Sequence, residues 1–247
     1  MRRTDYADIA GRYEKNPIRH NVDREPLIAE CLGAHRKPVR ILDIACGTGI
    51  WLAGQIEIYR EAPIEWFGID ASEQMLDVAR SKRLSAKLEE ADAENLPFSD
   101  GHFAIVVCNF ALHHFLDKPR ALAEARRTLG TGGRFAITNI CPEYMEDSWI
   151  YRFFPDTRPI DAERFPTNTQ LFELMVQSGF RPRMTTTVTR QEFQMDLLIQ
   201  EAENRDASQL TLIPADSYNR GMEAMRSHGS SFVGSFALIR AVGTATT

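Results

Sequence analysis

The sequence predicts an α/β fold, a mainly parallel sheet with helices on both faces, and three observations carry that prediction. From Val39 onward, short apolar runs alternate with helical patterns, the signature of strand-helix-strand units. The runs are apolar enough to be covered on both faces, as parallel strands are. A chain of 247 residues can bury roughly 70 to 75 % of its unfolded surface, so one large core forms without metals or cross-links.

Taken in order, the N-terminal stretch 6–31 carries Tyr6, Ile9, Ala10 and Tyr13 at helical spacing before Asn16-Pro17 breaks it. It reads either as a helix on the sheet edge or as a flap that closes on ligand. Strands are expected at 39–45, 64–69, 87–90, 103–109 and 134–138, and helices at 50–59, 72–84 and 118–129. Ser72 serves as N-cap of the second helix, with Met75, Leu76 and Ala79 on its buried face. Gly132-Gly133, following Thr128-Leu129-Gly130, reads as a helix stop and a tight turn into the next strand. The stretch 141–166 is rich in aromatics and prolines, lacks a clean period, and reads as a lid-like insertion. Thr167 or Asn168 caps a further helix that Gly179 ends. Strands are expected at 184–190 and 231–242, so 191–228 must be mostly helical. The expected division is a single domain: 1–38 an N-terminal helical flap, 39–140 a ligand-binding core, 141–247 a C-terminal half with lid insertions.

Composition excludes several functions. A net charge of −5 gives no broad positive field for a phosphate backbone, which argues against a nucleic-acid partner. No apolar run approaches the ~20 residues of a membrane helix, and Met1-Arg2-Arg3-Thr4-Asp5 leads into polar sequence, so neither a membrane span nor a signal peptide is expected and cytoplasmic residence is the default. The cysteines at 31, 46, 108 and 141 form no Cys-x-x-Cys pair, which points to free thiols and to no metal site.

The chemistry concentrates in Val39-Arg40-Ile41-Leu42-Asp43-Ile44-Ala45-Cys46-Gly47-Thr48-Gly49, an apolar strand running into a glycine turn and a helix. Such a turn lets the backbone approach a ligand and sets free amides beside it, with glycine at 47 and 49 leaving space. The dinucleotide fingerprint of a nicotinamide oxidoreductase fails at its third position, which is Leu52. Asp43 before the turn would repel a pyrophosphate but attract an ammonium or sulfonium cation. Asp70, ending the second strand, is placed to accept from ribose hydroxyls, and Asp92, after the third, from the exocyclic amine of adenine.

These residues carry a resemblance. Ile41 to Gly49, Gly68-Ile69-Asp70-Ala71-Ser72-Glu73-Gln74-Met75-Leu76, Ala91-Asp92-Ala93-Glu94-Asn95-Leu96-Pro97-Phe98, Asn109-Phe110-Ala111-Leu112-His113-His114-Phe115 and Leu129-Gly130-Thr131-Gly132-Gly133-Arg134 resemble, in order and spacing over 39–138, the class I S-adenosylmethionine-dependent methyltransferases, in the broad group that includes the ubiquinone/menaquinone methyltransferases. The resemblance implies a Rossmann-like, seven-stranded, mostly parallel sheet with an antiparallel last strand. It implies S-adenosylmethionine as cofactor, with Asp43, Ala45, Cys46, Gly47, Thr48 and Gly49 around its methionine portion. Asp70 falls at the ribose, Ala71 and Met75 in the adenine surroundings, Asp92 and Ala93 at the adenine edge, and Asn109 and Phe110 near the methyl-bearing end. Ala45-Cys46 departs from the Gly-Cys or Gly-Ala of many relatives, though the side chain stays small.

Methyl transfer from a sulfonium is an in-line displacement that needs an acceptor atom held about 3 to 3.5 Å from the methyl and water kept out. His114 is the candidate base and a further cofactor contact, with His113 beside it. Adjacent helical positions point about 100° apart, so one of the two faces a pocket. As a flap, the N-terminal stretch would bring Tyr13 to the cofactor and Tyr6 and His20 to the substrate. Trp149 and Tyr151, with Tyr144, Phe153 and Phe154, either form an apolar acceptor pocket or fasten the insertion to the sheet. The expected activity is methylation of a small molecule, a natural product or quinone-like metabolite. The alternative is a non-catalytic module that binds the cofactor or its demethylated product. Monomer and homodimer both remain open.

Overall fold

A computed structural model describes residues 14, 20, 22–34 and 38–246. The expectations for Tyr6, Tyr13 and the helical spacing they share lie outside the described residues. Seven strands, β1 (Val39–Ile44), β2 (Ile64–Asp70), β3 (Ala86–Glu90), β4 (Phe103–Asn109), β5 (Leu129–Ile140), β6 (Phe180–Gln194) and β7 (Ser231–Ala245), form one sheet in the order β3-β2-β1-β4-β5-β7-β6. β1 pairs in parallel with β2 and β4, β2 with β3, and β4 with β5. In β1 only Arg40 is exposed, so both of its faces are covered, which is why its apolar run does not alternate. The edge strand β3 is mostly exposed and polar.

The helices are α1 (Pro26–Ala34), α2 (Ile50–Ile58), α3 (Glu73–Ser81), α4 (Lys118–Thr128), α5 (Trp149–Phe153), α6 (Thr157–Arg164), α7 (Asn168–Gln177), α8 (Met195–Glu203) and α9 (Ala215–Arg226). The Ser72 hydroxyl caps α3 by accepting from the Met75 amide, and Thr167 accepts from Gln170 at the start of α7.

The glycine pair at 132–133 does not stop a helix. α4 ends at Thr128 with Leu129 already extended, and β5 begins there. Phe103 pairs with Leu129 and Ile105 with Arg134, so the stretch 130–133 bulges opposite Ala104, with Gly132 at φ 73°. Glycine here permits a strand irregularity, not a turn between elements.

The described residues divide into two compact units. One is Asn139–Leu171 with Thr185–Ile239; the other holds the chain up to Thr138 with Phe172–Met184 and the residues from Arg240. In the first, the stretch expected to be irregular contains α5 and α6. Helices of five and eight residues are too short to show a period, and the aromatics supply their core. Gly221 of α9 lets that helix lie on Phe154: a Cβ there would stand 2.3 Å from the ring. Trp149, Tyr151, Phe153 and Phe154 are buried, and the Tyr151 hydroxyl donates to Asp161 Oδ2 at 2.9 Å. Tyr144 is exposed.

The second unit holds the glycine loop. The extended residues before α1 are fastened to α2. Gln55, fully buried, accepts from the Glu25 amide and donates to the Asp23 carbonyl. The Tyr59 hydroxyl donates to the Glu25 carbonyl. The Glu25 carboxylate accepts from the Leu27 amide and from Arg240 Nη2, the latter at 2.6 Å.

Candidate functional site

Strand order reverses between β1 and β4, and in open α/β sheets the ligand crevice lies outside the carboxyl ends of the strands at such a switch point. Registers there are explicit. Asp70 pairs with Glu90, Ile44 with Ile69, Asp43 with Val107, and Asn109 with Thr138. Continued by a residue or two, these registers set Asp70, Ala45, Asn109 and Thr138 in one row across four strands spaced about 4.8 Å apart.

The glycine loop crosses this row. Ala45, Gly47 and Gly49 all have positive φ, at 58°, 55° and 74°. Gly49 precedes α2 without a side-chain cap, so the first amides of that helix are not taken up by one. The two glycines serve different ends. Among the described residues a Cβ on Gly47 would meet nothing within 4 Å, whereas one on Gly49 would stand 3.1 Å from Leu84 and 3.2 Å from Ala79. The space expected for a ligand therefore lies at Gly47, and that at Gly49 is filled by α3 and the residues after it. Leu52, at the failed fingerprint position, is fully buried, and a Cβ on Gly68 would approach it to 2.8 Å.

Two carboxylates face this loop. Asp43 is buried, which pushes its pKa well above the usual carboxylate range, and the charge of Asp70 adds to the shift. Burial also raises Asp70, opposed by the backbone amides it accepts from: Gly47 to Oδ2 at 2.8 Å and Ser72 to Oδ1 at 2.9 Å. The Cys46 thiol is pushed up by burial and then by both carboxylates. A cation entering here would relieve the repulsion. Two side-chain polar atoms, Thr48 Oγ1 and Asn109 Nδ2, are buried with no hydrogen-bond partner among the described residues. Two buried carboxylates beside Gly47 fit a ligand bearing positive charge, and the unpartnered Thr48 hydroxyl can bond a polar group on it.

The loop after β3 starts beside Asp70, whose carbonyl accepts from the Ala91 amide at 3.0 Å. Ala93 is buried and Asp92 exposed. Arg127 of α4 holds the loop by donating to the carbonyls of Leu96 and Phe98. Its Glu124 partner accepts from the Leu96 amide. Ala71 is exposed and Met75 buried.

Beyond β4, Phe110 also lies at positive φ, 55°, with its amide donating to the Thr138 carbonyl at 2.7 Å. Sequence spacing does not point to Thr138, which only strand register reveals. His113 and His114 sit on a short 3-10 turn, Leu112–His114. Their rings do not diverge as helical spacing implies: the centroids are 3.9 Å apart, with His113 buried and His114 partly exposed. His20 is exposed, its ring 2.6 Å from the Glu14 carbonyl. Among the described residues no cluster of three or more metal-ligating side chains occurs, and no helix is long and apolar enough to cross a membrane.

Comparison with known proteins shows the family. The methyltransferase domain family model matches residues 41–133. The demethylmenaquinone methyltransferase of Deinococcus radiodurans is 33 % identical over 211 residues, covering 72 % of this chain and 84 % of its own. The solved YcgJ protein of Bacillus subtilis superposes with a TM-score of 0.62 at 20 % identity, over 89 % of this chain and 98 % of that one. A phosphoethanolamine N-methyltransferase of Haemonchus contortus, solved with phosphomonomethylethanolamine and S-adenosylhomocysteine, superposes at 0.54 with 18 % identity, over 90 % of this chain and 52 % of that one. The seven-stranded Rossmann-like sheet, the glycine loop and the homology together establish that the chain belongs to the class I S-adenosylmethionine-dependent methyltransferases.

Proposed function

We propose that the protein moves a methyl group from S-adenosylmethionine to a small-molecule acceptor of quinone-like character by direct in-line displacement, in the cytoplasm. The observation that carries this is the row Asp70, Ala45, Asn109 and Thr138 at the switch point, with space at the adjoining Gly47 that no described residue fills. The named activity of the Deinococcus relative supports a quinone-like acceptor.

In this reading Asp43 faces the cationic methionine portion, beside Ala45, Cys46, Gly47, Thr48 and Gly49, and its burial strengthens that attraction. The Asp70 carboxylate accepts from the Gly47 and Ser72 amides, and its remaining accepting capacity serves the ribose hydroxyls. Ala71, Met75, Asp92 and Ala93 surround the adenine, and Asn109 and Phe110 border the methyl. Bound cofactor supplies an electrophilic methyl on sulfur. The chain's own task is to align the acceptor and exclude water, with His114 positioned to take a proton where the acceptor has one to lose.

Calorimetric titration with S-adenosylmethionine and S-adenosylhomocysteine tests this, using wild type, Asp43→Asn and Asp70→Asn. Micromolar binding that both variants weaken supports the reading. No binding by the folded wild type would end it.

A further inference from the structure

Two features stand at the carboxyl end of β4, where the cofactor's methyl would meet its acceptor. The Asn109 carboxamide presents a buried donor, Nδ2, with no partner among the described residues. Its neighbour Phe110 holds a left-handed backbone, φ 55°, and is 42 % exposed, while Ala111 and Leu112 directly after it are buried. An aromatic residue adopts this conformation only where its surroundings impose it. Here the Thr138 carbonyl, from the next strand, holds the Phe110 amide at 2.7 Å. The outcome is a buried donor and an exposed aromatic face on consecutive residues, one strand away from Ala45 of the glycine loop.

We infer that Asn109 and Phe110 are the pair that selects the methyl acceptor, the Asn109 amide donating to an oxygen of the acceptor while a flat apolar ring system lies against Phe110. The inference rests on the methyl-transfer reading and adds to it the chemistry of selection. A donor at this position favours an oxygen, most of all an ionised one, over an aromatic amine, whose single lone pair is delocalised into the ring and accepts poorly. It also makes Asn109 an orienting contact and not a base, since a carboxamide takes up no proton at neutral pH. Phe110 contributes apolar area and a π-face, which fits a planar acceptor better than a branched aliphatic one.

The test is calorimetric titration of the protein saturated with S-adenosylhomocysteine, under anaerobic reducing conditions, with 1,4-dihydroxynaphthalene and with 1-aminonaphthalene. These probes match in ring area and differ in the group offered. The wild type should bind the dihydroxy probe more tightly. Asn109→Asp, of the same shape but without the donor, should weaken that binding by at least about tenfold. Asn109→Ala should weaken it by a smaller factor, and Phe110→Leu should weaken both probes together. Each variant is titrated with S-adenosylhomocysteine first, and the acceptor titrations are run with that site saturated, which separates acceptor selection from damage to the cofactor site. Equal binding of the dihydroxy probe to wild type and Asn109→Asp, tighter binding of the amine, or no binding of the dihydroxy probe to a wild type that holds S-adenosylhomocysteine would overturn the inference. Failure of the wild type to take S-adenosylhomocysteine would overturn the methyl-transfer reading beneath it.

Discussion

The Gly47 amide and the Asp70 carboxylate, 23 positions apart, are joined by a hydrogen bond of 2.8 Å that ties the glycine loop to the end of the neighbouring strand. Asp70 is therefore both a prospective ligand contact and a brace for the loop, because its other oxygen takes the Ser72 amide at the mouth of α3. Asp70→Ala removes both anchors and should cost about 1 to 3 kcal/mol of stability besides weakening cofactor binding. Asp70→Asn keeps one accepting oxygen, so its stability loss should be smaller. Chemical denaturation beside calorimetry resolves the two effects, and an Asp70→Ala protein as stable as wild type would contradict the brace.

Asp43 gives a prediction in pH. Its folded pKa is raised by burial and by Asp70, so the free protein retains this proton above the unfolded carboxylate value, and the group lowers stability as pH rises through that window. A bound cation favours the charged form. Cofactor binding should therefore release a proton and strengthen as pH rises through the folded pKa, and titrations in buffers of different ionisation enthalpy should show the release. In Asp43→Asn the proton release should fall and the pH dependence should flatten, leaving the share carried by Asp70.

Ala45 occupies left-handed backbone at φ 58°, where a Cβ costs roughly 1 to 2 kcal/mol, partly offset by the lower chain entropy of alanine in the unfolded state. Ala45→Gly should stabilise the protein by about 0.5 to 1 kcal/mol, raising Tm by about 2 °C. The opposite holds for Gly68→Ala, whose Cβ would lie 2.8 to 2.9 Å from Leu52, Cys46 and Leu88. Overpacking of that kind should cost about 1 to 3 kcal/mol. Thermal melts of the two variants should move in opposite directions.

Glu124 is held below the usual carboxylate range, chiefly by its hydrogen bonds from Arg127, with the Leu96 amide assisting. Its folded pKa is depressed, so its stabilisation is present above the unfolded value and is lost as pH falls through the folded one. Glu124→Gln should destabilise at pH 7 by about 1 to 2 kcal/mol and flatten the acid limb of the stability curve below about pH 4.5. Denaturant midpoints from pH 3 to 7 measure both.

Legibility in the sequence followed how local each cause was. β4 was readable to the residue, and β1 and β2 nearly so, because a strand covered on both faces writes its burial directly into composition. Ser72 announced its cap because the hydroxyl acts three residues away. By contrast the bulge at 130–133 looks like a turn unless the pairing of Phe103 and Ile105 is known. Helices α5 and α6 were hidden by their shortness. At the site, the charge logic of Asp43 and Asp70 could be argued from their places after strands. The brace on Gly47, the packing reason for Gly49 and the hold of Thr138 on Phe110 arise between residues distant in sequence and leave no spacing to detect.

The ion pair between Glu25 and Arg240 spans 215 positions, so the stretch before α1 depends on β7 for one of its anchors. A buried carboxylate has no stable place until its guanidinium partner arrives, and closing so long a loop is entropically slow. The stretch before α1 can settle on Gln55 only weakly while β7 is missing. A truncation just before Arg240 should therefore yield a loosened cofactor unit, even though every residue of the glycine loop is present.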